Sequence, residues 1–297
     1  MRRHLVALLW MALLLAQAQP LQLVDATGQE LTVASTERIV SLDVTSTEIL
    51  FALGVGSKVV ARDGSSVYPS EAQKLPVVGL MAFPYLVANI LAQNPTVVVG
   101  KVGLKPDDLA AQLQARGVPY VQIPAEPGVE PTKARIRLLA KLVGQAERGE
   151  TLVAVLERDL AQLKPSSAVL KGAFMYMRGP SMVFICGRLS NTAGLIELVG
   201  AKNAADWDEC RPSSPELLGQ INPDFVVVLQ SGLASVGGLE GFLQLPGAGQ
   251  TRAGQTRRVI AVADGLSAVG GPRLGRAAQA LYRAIFEQTG FVEVNEP

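Results

Sequence analysis

The sequence has a single histidine, His4, which lies in an N-terminal stretch typical of an export signal. Histidine is the commonest metal ligand in proteins and the usual base at neutral pH. Its absence from the rest of the chain excludes most zinc and copper sites and most hydrolase mechanisms there. A bound metal or ligand must be held by other groups, and Tyr68, in the run from Arg62 to Pro69, is the residue that needs an explanation.

The usual motifs of catalysis and nucleotide binding are also missing. The sequence has no G-x-S-x-G motif, and a serine nucleophile would have no histidine to activate it. Residues 249–256 have the spacing of a phosphate-binding loop, but Gln255 stands where the lysine must be. The pair Gly54 and Gly56 lacks the third glycine of a dinucleotide-binding motif. We therefore predict that the protein is not an enzyme, with an exported hydrolase as the remote alternative.

The chain has no excess of charge and few cysteines. Its formal net charge is +1, so it offers no electrostatic reason to bind nucleic acid or an anionic membrane. The two cysteines, Cys186 and Cys210, lack the C-x-x-C spacing of metal and redox motifs. Three interpretations stay open: a structural disulfide, which an oxidising compartment favours, two buried thiols, or a functional thiol.

The first eighteen residues have the layout of a secretory signal peptide. Arg2 and Arg3 precede an apolar run over residues 5–15, and Ala16-Gln17-Ala18 matches an A-x-A cleavage site. The apolar run is shorter than the roughly 20 residues of a membrane-spanning helix. We expect cleavage after Ala18, a periplasmic location and no stable membrane insertion. An uncleaved anchor is the alternative.

Short apolar runs alternate with helical patterns, which predicts an α/β fold with parallel sheets. The predicted strands are residues 38–42, 59–61, 96–100, 120–123, 172–177, 225–229 and 259–262. A weak internal repeat divides the chain in two, because Asn94-Pro95 and Asn222-Pro223 each follow a helical pattern and precede a strand. We therefore predict two Rossmann-like lobes with a ligand cleft between them.

A segment rich in Leu, Ala, Lys, Arg and Glu lies between the two halves and predicts a long inter-lobe helix over residues 131–165. Gly144 and Gly149 are the positions at which it would break or bend. The predicted organisation is a signal peptide (1–18), an N-terminal lobe (19–130), this helix and a C-terminal lobe (166–297).

Several segments resemble a known class of proteins. The class-level match lies in residues 38–50, in Tyr68-Pro69 and in residues 214–224, and the finer match lies in residues 63–79 and 238–273. The chain resembles substrate-binding proteins of the helical-backbone class, which serve ABC importers of haem, cobalamin and ferric siderophores. Within that class it is most similar to periplasmic haem-binding proteins.

This resemblance implies that the protein captures haem and delivers it to an ABC transporter permease dimer, acting as a monomer. It also implies that Tyr68 is the axial ligand of the haem iron. A phenolate oxygen suits ferric iron, and tyrosine is an established haem ligand. Arg62 would favour the charged phenolate. A turn tyrosine packed on Pro69 is the structural alternative for Tyr68, and cobalamin or a ferric siderophore is the alternative ligand.

The remaining candidates follow from the same resemblance. Arg188 and Arg273 are predicted to hold haem propionates through charge-assisted hydrogen bonds, and Met81 and Tyr85 to form part of the apolar wall. Because no histidine is available as a second iron ligand, we expect five-coordinate iron, or a sixth ligand from Tyr85, a methionine or water.

Two glutamates, Glu48 and Glu216, match positions that dock onto arginines of the permease in this class, although both also suit helix N-terminal capping. The chain departs from the class over residues 82–89, where an expected glutamate is missing.

Overall fold

The protein consists of two α/β lobes joined by a pair of helices. We describe it from a computed structural model that covers residues 19–80, 83–164, 168–266 and 270–295. The predicted signal peptide, residues 1–18, lies outside the described residues. The prediction of two lobes with parallel sheets is confirmed.

The N-terminal lobe begins with an antiparallel hairpin and continues as a five-stranded parallel sheet in the order β5-β4-β3-β6-β7. Each predicted strand of this lobe is present. The strands are β1 (Leu21–Val24), β2 (Glu30–Val33), β3 (Ile39–Ser41), β4 (Val59–Asp63), β5 (Val77–Gly79), β6 (Val97–Lys101) and β7 (Tyr120–Ile123), and the helices are α1 (Val44–Ala52), α2 (Val87–Leu91) and α3 (Leu109–Gln114). Asp43 fixes the start of α1, because its carboxylate accepts the backbone N–H groups of Thr45 and Ser46.

Two helices, not one, connect the lobes, so the prediction of a single continuous helix was wrong. They are α4 (Val129–Leu142) and α5 (Ala146–Leu160). The chain turns at Gly144, whose φ of +68° lies in the left-handed region that glycine tolerates best. Gly149 does not break α5. It lies at the contact between the two helices, where a side chain would collide with Ala140.

The C-terminal lobe contains a seven-stranded mixed sheet in the order β11-β9-β8-β12-β13-β14, with β10 also paired to β8. Its strands are β8 (Lys171–Met177), β9 (Val183–Cys186), β10 (Lys202–Asn203), β11 (Cys210–Pro212), β12 (Phe225–Leu229), β13 (Val259–Val262) and β14 (Val292–Val294). Its helices are α6 (Asn191–Leu198), α7 (Pro215–Ile221), α8 (Gln230–Ser235), α9 (Gly238–Leu243), α10 (Arg252–Gln255) and α11 (Leu274–Phe286). Cys186 and Cys210 form a disulfide between β9 and β11, which decides among the three interpretations of these cysteines.

One apolar cluster runs through both lobes. It joins Ile49 of α1, Leu139 of α4, Leu156 of α5 and Leu281 of α11. Helix α4 packs against α1, and α5 packs against α11. The helix pair therefore shares its core with both lobes and forms a broad, packed joint rather than a flexible linker.

Candidate functional site

A cavity of about 430 Å³ lies between the lobes, within the size range of small-molecule sites. Its lining comes largely from the carboxyl ends of the parallel strands, which is where α/β folds bind their ligands. Lys101 ends β6, Leu229 ends β12, and Asp264 closely follows β13. The other lining residues are Val44, Glu48, Ser65, Val67, Tyr68, Tyr176, Arg178, Asn191, Gly265 and Arg273.

Tyr68 lies on the N-terminal wall of this cavity, on a loop that Arg62 holds in place. The Arg62 guanidinium is buried and donates to the carbonyl oxygens of Asp63, Gly64 and Ala72 at 2.8–3.0 Å. These bonds tie the start of the loop to the segment that follows it. Arg62 is not among the residues that line the cavity. The structure thus gives Arg62 a role in shaping the loop that carries Tyr68, and its predicted effect on the phenolate stays a prediction.

Arg273 of the C-terminal lobe stacks on the ring of Tyr68. Its guanidinium carbon lies 3.4 Å from the ring centroid, a cation–π contact that joins the two lobes. The same guanidinium forms an ion pair with Glu48, with 2.9 Å between Arg273 Nη2 and Glu48 Oε2. Arg273 is therefore in the predicted site, but its contacts are with protein groups of the tyrosine wall.

Lys101 provides a buried positive charge on the N-terminal wall. Burial lowers the pKa of this lysine, and Arg135 lowers it further, while Asp43 raises it in part. A lysine held in a cavity under these conditions is well suited to pair with an anionic group of a ligand.

The opposite wall carries a second tyrosine and a second arginine. The guanidinium carbon of Arg178 lies 5.0 Å from the ring centroid of Tyr176, and Arg178 Nη1 donates to Ser231 Oγ at 2.9 Å. Ser231 in turn is bonded to the carboxylate of Asp264 through its backbone N–H and its hydroxyl. The C-terminal lobe therefore presents an exposed cation that is oriented by hydrogen bonds.

Two predicted ligand residues lie away from the cavity, and a third cannot be placed. Tyr85 is buried in the N-terminal lobe, with its hydroxyl 2.6 Å from Leu42 O and 2.7 Å from Asp63 Oδ2. Burial, together with the Asp63 carboxylate, raises the pKa of Tyr85, which disfavours the phenolate. Arg188 is half exposed and bonded to Asp208 in a separate surface depression. Neither residue lines the inter-lobe cavity, and both assignments stay predictions. Met81 lies outside the described residues.

The two glutamates predicted to dock the permease differ in exposure. The Glu48 side chain is 5% exposed and is bonded to Arg273, so it is not available to a partner in this conformation. Glu216 is exposed on the first turn of α7, where Ser214 caps the helix. Hydrogen bonds from its own backbone N–H and from Ser214 lower the pKa of Glu216. Docking therefore stays a prediction for both glutamates, and only Glu216 is exposed in this conformation.

Sequence reasoning missed Lys101, Tyr176, Arg178, Asn191 and Asp264. Lys101, Arg178 and Asp264 share a signal, because each stands at or just beyond the carboxyl end of a predicted strand. In a parallel sheet these ends meet at one edge. That rule would have selected all three from the sequence, whereas Asn191 at the start of α6 follows no such pattern.

Together, the two α/β lobes and the cavity between them define a two-lobed ligand-binding protein. The family of periplasmic binding proteins matches residues 39–264, and the chain belongs to this family. Among the described residues, no helix is long and apolar enough to cross a membrane.

Solved haem-binding proteins have the same fold. The apo form of the periplasmic haem-binding protein RhuT from Roseiflexus sp. RS-1 has 36% identity and a TM-score of 0.79, covering 85% of this chain and 99% of RhuT. The haem-binding protein HmuT has 31% identity and a TM-score of 0.81, covering 92% of both chains.

Curated relatives are more distant or match over a shorter segment. The uncharacterised ABC transporter substrate-binding lipoprotein YvrC of Bacillus subtilis (strain 168) is 24% identical, over 91% of this chain and 87% of YvrC. The vitamin B12-binding protein of Yersinia pestis (strain Pestoides F) is 36% identical over 85 residues, which are 29% of this chain and 30% of that protein.

Proposed function

We propose that this protein binds haem in the inter-lobe cavity and delivers it to the permease of an ABC importer. The observation that carries the proposal is the position of Tyr68 on the cavity wall, under the guanidinium of Arg273. A phenolate is a hard anionic ligand for ferric iron, and the Arg273 cation lies 3.4 Å from the centroid of the Tyr68 ring. The similarity to RhuT and HmuT over most of the chain supports the same ligand.

In this proposal Tyr68 is the axial ligand of ferric haem, and Lys101 and Arg178 pair with its propionates. These cations come from opposite lobes, so a bound haem would connect the two walls through charge-assisted hydrogen bonds. Tyr176 is the tyrosine on the wall opposite Tyr68 and is the candidate for the other face of the iron. Val67, at 40% exposure beside Tyr68, adds apolar surface for the porphyrin.

A haem titration of the purified protein tests this proposal. We expect a saturable Soret shift with the spectrum of a high-spin ferric tyrosinate. Tyr68→Phe should abolish that spectrum and weaken haem binding by about 100-fold or more, since even indirect changes to metal ligation cost 10–100-fold. Tyr282→Phe is the matched control, because Tyr282 lies on α11 and packs against Phe286. An unchanged spectrum in Tyr68→Phe would remove Tyr68 from the iron.

Cobalamin is the second candidate ligand, on the basis of the 85-residue match to the vitamin B12-binding protein. Titration with cyanocobalamin separates the two ligands. Tight cobalamin binding without haem binding would overturn the haem proposal while keeping the role in import. We further propose that Glu216 is a contact with the permease.

A further inference from the structure

Glu48 fixes the orientation of the Arg273 head group. Its Oε2 accepts from Arg273 Nη2 at 2.9 Å, and its Oε1 accepts from the Arg273 backbone N–H at 3.2 Å. Arg273 Nη2 also donates to Gly265 O at 3.1 Å. The side chains of both partners are only 5% exposed. The guanidinium is thus held from two sides while its flat face lies over Tyr68.

The backbone around this pair leaves little room for another arrangement. A Cβ atom at Gly271 would lie 3.0 Å from Glu48 Oε1, so a larger residue there would push this carboxylate aside by a few tenths of an ångström. Glu48 belongs to the N-terminal lobe and Arg273 to the C-terminal lobe, and they are separated by 225 residues in sequence. The contact therefore places a C-terminal cation against an N-terminal tyrosine.

A buried ion pair of this kind is poorly explained by stability alone. Removing two charges from water costs several kcal/mol per ion, and apolar replacements of such pairs are often neutral or stabilising. The pair does, however, determine the electrostatic environment of the Tyr68 ring. The Arg273 cation attracts negative charge on the phenolate, and the Glu48 anion offsets part of that attraction because it is bonded to the same guanidinium.

We infer that Glu48 is a positioning residue for the iron ligand, acting on Tyr68 through Arg273. This inference rests on the proposed haem function. With the pair intact, the Glu48 charge offsets part of the Arg273 charge beside ferric iron. Without the Glu48 charge, one uncompensated positive charge lies over the phenolate. It weakens electron donation to the iron and favours the ferrous state when the iron accepts an electron.

The test is Glu48→Gln, which keeps the shape of the side chain and removes its charge. We expect the variant to bind haem, with three changes relative to the wild type. The phenolate-to-iron charge-transfer band shifts to shorter wavelength, the midpoint potential of the haem becomes more positive, and haem dissociates about tenfold faster, equivalent to about 1.4 kcal/mol. Glu48→Asp, which keeps the charge, should retain the wild-type band position.

The matched control is Glu71→Gln. Glu71 is an exposed carboxylate in the outer depression that Tyr68, Glu48 and Arg273 also line. The Glu71→Gln variant should leave the charge-transfer band and the midpoint potential of the haem unchanged. The double variant Glu48→Gln/Arg273→Met tests the route of the effect, because removing both charges should return the potential towards the wild-type value. If Glu48→Gln alone does not fold, Arg273→Met provides the test, because it leaves the Glu48 anion uncompensated and should shift the midpoint potential to a more negative value.

The failures of the two proposals are distinguishable. If the wild-type protein binds no haem, or binds it without Tyr68, the proposed function is wrong. If haem binds through Tyr68 but Glu48→Gln alters only the thermal stability, with an unchanged band and potential, the inference about Glu48 is wrong and the haem proposal stands. Equal shifts in Glu71→Gln would also overturn it, since they would show a general effect of surface charge.

Discussion

Lys101 is a charged residue that the fold keeps at a cost in stability. It is 9% exposed, and burial lowers its pKa, so the folded state disfavours the ammonium form relative to the unfolded chain. Natural proteins tolerate such groups at sites where binding requires them. The side chain lines the cavity together with Tyr68, which is where a ligand carboxylate would repay the lost hydration.

We predict that Lys101→Met stabilises the protein and weakens haem binding. The free energy of unfolding should rise by about 0.5–2 kcal/mol, and haem affinity should fall about tenfold through loss of a charged hydrogen bond. The affinity for haem dimethyl ester, which lacks the carboxylates, should not change. Urea unfolding and parallel titrations check this, with the exposed and ion-paired Lys105→Met as control. Equal losses of affinity for both haems would exclude a propionate contact.

The pH dependence of stability gives the same residue a second signature. Because the pKa of Lys101 is lowered on folding from its ordinary value of 10.5, the unfolded chain binds more protons between the two values. The free energy of unfolding of the wild type therefore increases as the pH rises from the folded-state pKa of Lys101 towards 10.5. Lys101→Met lacks this gain, so its advantage over the wild type should shrink at alkaline pH.

At the scale of elements, the pairing of α4 and α5 depends on one small residue. Gly149 lies in the interior of α5, where glycine costs about 1 kcal/mol relative to alanine, yet a side chain there would collide with Ala140 on α4. The close approach of the two helices outweighs the local propensity. From the sequence alone this glycine is a possible helix breaker, because its neighbour in space is nine positions away and on another helix.

We predict that Gly149→Ala destabilises the protein by about 1–3 kcal/mol, since overpacking exceeds the gain in helix propensity. Gly219→Ala on α7 is the matched control. No atom lies within 4 Å of a side chain at that position, so the same substitution should be neutral or stabilising. Thermal or urea unfolding measures both, and Ala140→Gly should rescue Gly149→Ala. A stabilised Gly149→Ala would contradict the close contact.

The alternation of strands and helices was predictable because each element has its own local spacing of apolar residues. The predicted strands at residues 225–229 and 259–262 match β12 and β13, and the helical pattern before Asn222 matches α7. The point at which the inter-lobe segment divides into α4 and α5 was not, because composition does not distinguish Gly144, where the backbone is left-handed, from Gly149, which lies inside α5. The amino-acid composition does not change at the turn. Only the tertiary packing shows that the chain reverses there and that α4 and α5 pack against each other.

At the scale of the whole molecule, the two lobes are not equivalent as docking surfaces. Glu216 is exposed and lies six positions before Asn222. In the internal repeat Asn94 corresponds to Asn222, and the residue six positions before Asn94 is Ala88. Glu48, the other predicted contact, is buried between the lobes. Within the described residues, the N-terminal lobe thus has no glutamate in register with Glu216.

We predict that Glu216→Ala impairs delivery of haem without impairing its capture. Haem affinity should equal that of the wild type, whereas haem uptake and ATPase stimulation by the cognate permease complex in proteoliposomes should fall at least about tenfold, since loss of one charge of an interfacial pair leaves its partner unpaired. The lowered pKa of Glu216 keeps it anionic at neutral pH. Glu209→Ala, an exposed carboxylate in the same lobe, is the control. Equal transport by Glu216→Ala and wild type would exclude this contact.

The sequence by itself determined the two-lobed α/β plan, the lack of histidine beyond residue 4 and the choice of Tyr68 as the candidate ligand. Periodicity, composition and a short motif are local properties. Only the tertiary structure decided the partners of that tyrosine. Arg62 turned out to shape the loop, while Glu48 and Arg273 meet across 225 residues of chain. Burial and charge pairing depend on which side chains come together in space, and neither is encoded in the spacing of residues along the chain.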